Sequence, residues 1–159
     1  MKPVTLATVI VAIVSIVLTV PAVSSLRAAM TAGATASDER AAVERAVADY
    51  AKALYEVRSD LIERSVHREL TKRGFFRNDA GEWQENIMTY DDLHALAGEW
   101  NVEKRVTAEQ SPWRVRVVDV FDQTATALLT ADWGIDHMQL AKYDGRWKII
   151  QVLWQIPPQ

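Results

Sequence analysis

Cysteine is absent from the 159 residues, which excludes a disulfide framework, a thiolate nucleophile, a thiolate metal ligand and a lipid-attachment cysteine. Histidine is scarce and scattered. His67, His94 and His137 form no pair at metal-ligand spacing, and only His67 with Glu69 makes a His-x-carboxylate, so no metal site is expected. Excess positive charge is also lacking: 18 basic side chains face 21 acidic ones. An acidic domain repels phosphate backbones, so no nucleic-acid partner is expected. No glycine-rich phosphate loop, serine elbow or dinucleotide fingerprint occurs, and no cofactor is implied. Internal repeats are missing too.

Only one long apolar run exists. Residues 4–20 carry no charge, Lys2 precedes them and Pro21 breaks them. Small residues follow, with Ala-Thr-Ala at 34–36 and Val-Pro-Ala at 20–22 as cleavage-type sequences. Residues 1–36 are therefore read as a signal peptide or an amino-terminal membrane anchor, and 37–159 as one domain. The run lies at the lower edge of what spans a bilayer. Export to the periplasm or beyond is the first reading; membrane association is expected only if the segment stays uncleaved.

The strongest helical signal follows. Val43, Val47, Tyr50, Leu54 and Val57 recur at three- and four-residue steps, with Ser37 as the expected cap. A short second helix is predicted over residues 59–65, because Asp60 and Glu63 have the offset of a capping box. An extended piece, a turn at residues 78–81 and a second extended piece ending near Met88 come next. Thr89 is expected to cap a third helix over residues 90–97, ended by Gly98. Residues 99–112 read as a loop with at most one short strand. The last third alternates as four strands, the final two flanking Asp144 and Gly145, a dipeptide suited to a two-residue hairpin turn. Helices first and a meander last define an α+β domain with the helices on one sheet face.

That last turn poses a question about Asp136. A two-residue turn pairs residues whose numbers sum to a constant, so Leu140 opposes Ile149, Met138 opposes Gln151 and Asp136 opposes Leu153. One face then holds Asp136, Met138, Leu140, Trp147, Ile149, Gln151 and Leu153, and it is the more apolar. The other holds Ile135, His137, Tyr143, Ile150, Val152 and Trp154, which offers apolar area to a second copy of the chain and an expected homodimer through the sheet. A carboxylate on the helix-facing side costs several kcal/mol unless paired. Asp136 is either a structural partner of an amide or arginine, or part of a cavity that meets a ligand.

The helix ending Ala-Asp-Tyr-Ala-Lys-Ala-Leu-Tyr-Glu and the segment Val-His-Arg-Glu-Leu-Thr-Lys-Arg-Gly carry a resemblance. So, above all, does the closing pattern of Leu140, Lys142, Asp144, Gly145, Trp147, Lys148, Ile149 and Trp154. Over about residues 38–157 the chain resembles the family named "Putative lumazine-binding", within the nuclear-transport-factor-2-like superfamily. The resemblance implies a cone, with a long first helix and two shorter ones in the concavity of a bent antiparallel sheet.

Three function classes stand. The first is a non-catalytic binder of a small apolar or aromatic molecule, its cavity lined by Tyr50, Leu54, His67, Asp136, Met138, Gln151 and Leu153. The second is an interaction or structural module of the cell envelope. The third is a cofactor-free isomerase or dehydratase, for which Asp136 with Tyr50 or His67 is the only acid–base set that can be assembled. Tyr50 and His67 also have plain structural roles available, in core packing and local hydrogen bonding. Among the tryptophans, Trp83, Trp100, Trp113 and Trp133 read as core or interface, and one could stack on an aromatic ligand.

Amino-terminal sequencing of protein from its native host is expected to find a start beyond Ala22, at Ser37. An intact Met1 in the membrane fraction would establish the anchor instead.

Overall fold

The computed structural model describes the backbone of residues 22–157 and the side chains of residues 35–157. The apolar run of residues 4–20, on which the signal or anchor reading rests, lies outside the described residues. Helix α1 (Ala22–Tyr55) starts earlier than its apolar stripe does, so Ser37 lies within it rather than at its cap. Alanine is frequent between residues 22 and 36, and Gly33 alone does not stop a helix. Val43, Val47, Tyr50 and Leu54 are buried as the spacing predicted. Val57 is not helical; it sits at φ 56° in the turn that follows. No helix among the described residues is long and apolar enough to cross a membrane.

Helix α2 (Ser59–Ser65) has the predicted bounds but a different cap. Arg58 stands at the cap position and grips Asp60 with two hydrogen bonds, of 3.1 and 2.7 Å, so the expected Asp60–Glu63 box is not used. Strand β1 (Val66–Arg77) follows directly, and Gly81 at φ 79° closes the turn into β2 (Trp83–Met88). Helix α3 (Tyr90–Glu99) opens on a capping box between Thr89 and Asp92 and runs through Gly98. Residues 100–113 form no strand. Strands β3 (Arg114–Val120), β4 (Thr124–Ala131), β5 (Gly134–Tyr143) and β6 (Arg146–Gln155) complete the chain.

The six strands form one sheet in the order β2-β1-β6-β5-β4-β3. Every neighbouring pair is antiparallel except β1 and β6, which run parallel, so the sheet is mixed. The core lies where α1 and its two companions cover one face. Val43, Val47, Leu129, Met138, Leu140 and Ile149 are all at most 1 % exposed there.

The β5–β6 register corrects the sequence reading. Asp144 and Gly145 take φ values of 49° and 73°, the two positive angles of the expected tight turn. Lys142↔Trp147 and Leu140↔Ile149 pair as predicted. Beyond them the partners become Gln139↔Gln151, Met138↔Val152 and Asp136↔Trp154, because β6 carries one extra residue. A bulge of this kind flips every later side chain. Gln151 and Leu153, expected inside, therefore face outward, with Leu153 43 % exposed. Val152 and Trp154, expected outside, turn toward the helices. The exchange puts valine and indole where a carboxamide and a leucine were expected, so the one polar group of the four is the one moved to solvent. The outer face thereby loses two of the five apolar groups assigned to a dimer contact and gains Leu153.

Glu39 ties α1 to the hairpin base. Its carboxylate accepts from Lys142 Nζ at 2.7 Å and from Trp147 Nε1 at 2.7 Å. Those two hydrogen bonds, led by Lys142, hold its pKa below the ordinary 4.5. A carboxylate depressed in the folded state stabilises the fold above the unfolded-state value, and that contribution is lost as pH falls through the folded one. Glu39→Gln should therefore be less stable than the native chain near neutrality, and the gap should close in the acid range. Urea denaturation of both proteins across that range measures it; a gap independent of pH would contradict the ion-pair account.

Candidate functional site

Strand parity places an unusual residue inside the sheet. Leu70, Lys72 and Gly74 alternate on the helix-facing side of β1, and Lys72 is only 4 % exposed. Its Nζ donates to Tyr50 Oη at 2.5 Å and approaches Asp136 Oδ1 at 3.5 Å. Asp136 is fully buried, and its other oxygen accepts from Trp133 Nε1 at 2.7 Å. The question raised by Asp136 is thus answered by a lysine and an indole, not by an arginine or a backbone amide.

Three glimpses of local structure explain the placement. Gly134, at φ 134°, lets β5 begin flush against β6, since a Cβ there would lie 2.0 Å from the Gln155 carbonyl oxygen. Trp133 is thereby held beside α1, 5.7 Å from the Tyr55 ring and 5.3 Å from the Trp100 ring. Gly74 leaves room for Trp154 to lie across β1; a Cβ there would meet its indole at 1.8 Å. The coil after α3 is pinned by Asn101, which donates to the Tyr55 and Val106 carbonyls at 2.8 and 2.7 Å. Tyr55 itself donates to the Ser111 carbonyl and accepts from the Asp132 amide, at 2.9 and 3.0 Å.

A cavity of about 230 Å³ opens beside this cluster. Trp100, Trp133 and Trp154 form aromatic walls, and Leu54, Leu96 and Met88 add apolar surface. Lys72 and Asn86 are the two residues of the lining with an amine or amide side chain. Trp154 Nε1 is buried without a hydrogen-bond partner. A wider open cleft of about 730 Å³ lies between residues 35–39 of α1 and the β3–β4 turn, but its Glu39 and Lys142 already satisfy each other.

Burial dominates the electrostatics. Desolvation lowers the Lys72 pKa, against the pull of Asp136. Desolvation raises that of Asp136, opposed by Lys72 and by the Trp133 hydrogen bond. Tyr50 is pushed well above its ordinary range by burial, with the Asp136 charge adding to it, so its phenol keeps its proton. Each group is driven toward neutrality, and a proton can reside on either the amine or the carboxylate without changing the net charge of the pair.

The predicted site residues separate. Tyr50 and Asp136 belong to the buried cluster, Leu54 lines the cavity, and Met138 is packed in the core. His67 lies elsewhere: its ring stacks on Tyr143 at 4.2 Å and its Nδ1 accepts from the Glu69 amide at 3.2 Å, because it opens β1 at the hairpin end of the sheet. Gln151 and Leu153 leave with the bulge. Lys72 was missed, although the Leu70–Lys72–Gly74 alternation carried a signal for it. No group of three metal-ligating side chains occurs among the described residues.

Helices on one face of a six-stranded sheet, with a cavity between, define an α+β domain of the nuclear-transport-factor-2-like cone. The sequence matches the "Putative lumazine-binding" family over residues 38–155, and the chain belongs to that family. An NTF2-like protein of unknown function from Silicibacter pomeroyi is similar at 21 % identity and TM-score 0.60, covering 76 % of this chain and 97 % of its own. One from Methylobacillus flagellatus is 19 % identical with TM-score 0.57, over 76 % and 94 % of the two chains. A third, from Shewanella baltica, is 16 % identical with TM-score 0.51, over 77 % and 96 %. At these identities the likeness is one of fold. No curated protein matches the chain.

If Lys72 and Asp136 act as one unit, Lys72→Met and Asp136→Asn should each cost about 1.5–3 kcal/mol as lost charged hydrogen bonds. The double variant should cost less than their sum, since each single change strands a buried partner. Urea denaturation of the four proteins gives the coupling; additive losses would mean the two groups are independent.

Proposed function

We propose that the chain is a small-molecule-binding domain, exported on the reading of residues 4–20, whose cavity holds a small planar apolar or aromatic ligand without turning it over. The observation that carries this is a half-open cavity of about 230 Å³ walled by three indoles, with one buried lysine in its lining. Apolar walls with a few fixed polar groups are the usual form of a ligand site. Indole faces suit a flat ring system, and Lys72 and Asn86 offer donors to a carbonyl or ring-nitrogen acceptor. The family's description adds a chemical pointer, since a lumazine is a flat heteroaromatic dione.

Binding and turnover are distinguished by what stays bound. Native mass spectrometry of protein from its host is expected to show a retained small molecule, released on denaturation. Lumazine should quench tryptophan fluorescence, and Leu96→Trp, which fills the cavity, should weaken that response at least tenfold. A native chain that carries no ligand and responds to lumazine no better than the filled variant would refute the reading.

A further inference from the structure

Lys72 is a primary amine with almost no access to water, on the wall of a cavity otherwise made largely of aromatic and aliphatic carbon. Two proton carriers flank it, Tyr50 Oη at 2.5 Å and Asp136 Oδ1 at 3.5 Å. The long second distance and the burial of both partners make this a poor fixed salt bridge, because neither ion recovers the solvation it has lost. Desolvation beside an apolar cavity is one way a lysine becomes nucleophilic, and here two proton-carrying groups lie within reach of the amine.

We propose that Lys72 captures the aldehyde or ketone group of an aromatic ligand as a reversible imine. The inference rests on the cavity being a ligand site and adds the chemical class of the ligand. With the pair's proton on Asp136, the free amine of Lys72 adds to the carbonyl carbon. The former carbonyl oxygen takes up one of the amine's protons, which gives a neutral carbinolamine. Asp136 then gives its proton to the carbinolamine hydroxyl, which departs as water while the nitrogen lone pair forms the C=N bond. The resulting iminium carries one positive charge, balanced by the Asp136 carboxylate. No oxidant, reductant or metal enters the step. Burial lowers the amine's basicity, which leaves more of it free to attack than on an exposed lysine.

Benzaldehyde and benzyl alcohol make a matched pair of probes, equal in ring and nearly equal in size, of which only the first can form an imine. Saturation-transfer NMR on the full chain reads binding of each. Sodium borohydride trapping followed by peptide mapping reads the covalent step. Both probes are expected to bind, and reduction should place a benzyl group on the peptide holding Lys72 at least tenfold more than on those holding the exposed Lys52 and Lys104. Excess benzyl alcohol should suppress that labelling. Binding of both probes without selective labelling of Lys72, or with labelling spread evenly over Lys52 and Lys104, overturns the imine while leaving the cavity reading intact. Failure of both probes to bind overturns the cavity reading and the imine with it. Mapping is done on the native sequence, so the result does not depend on a variant that must fold; Lys72→Arg, where it folds, should lose the label.

Discussion

Between Leu140↔Ile149 and Gln139↔Gln151 the β5–β6 ladder gains one residue on the β6 side, and the floor of the cavity depends on it. Without that bulge, Gln151 and Leu153 would look toward α1, and the Trp154 indole would stand in solvent. With it, Val152 enters the core and Trp154 crosses Gly74 to form a wall of the cavity. A bulge costs a local break in the hydrogen-bond ladder. Here the break coincides with the exchange of a carboxamide and a leucine for a valine and an indole at the helix interface, which keeps the Gln151 amide in water.

The same shift assembles the polar cluster. Trp154 lies 5.5 Å from Lys72 Nζ, so its ring shields the amine that Tyr50 and Asp136 contact from other sides. Lys72 and Asp136 belong to β1 and β5, which are not neighbours; β6 runs between them. Their approach therefore requires the parallel docking of β1 on β6 as well as the hairpin. α1 closes the group from above with the Tyr50 phenol. An ionisable pair in such a place adds little to stability against a well-packed apolar alternative; Lys72 also lines the cavity, while Asp136 and Tyr50 lie fully buried behind it.

Much of this was legible from local pattern. The amphipathic stripe on α1, the Thr89 cap, the Asp144–Gly145 turn and the alternation of the last four strands each rest on interactions within a few residues of one another. Parity alone also put Asp136 on the helix-facing side, and the bulge left it there because the extra residue lies on β6, not β5. The start of α1 and the cap of α2 were less accessible. An alanine-rich stretch carries no stop signal to contrast with its neighbours, and the Arg58–Asp60 pair competes with the capping box at similar energy.

By itself, then, the order of residues determined the elements, the α+β class and the family, since each follows from periodicity, turn chemistry or a contiguous motif. Tertiary structure alone decided the site. His67 is drawn to Tyr143 at the far end of β1, whereas Lys72 is drawn under α1. The difference arises from pairing with β6 and from the space Gly74 leaves for Trp154. A one-residue bulge is invisible to a parity argument because it is selected by what the helices bury, a free energy that exists only once sheet and helices have met.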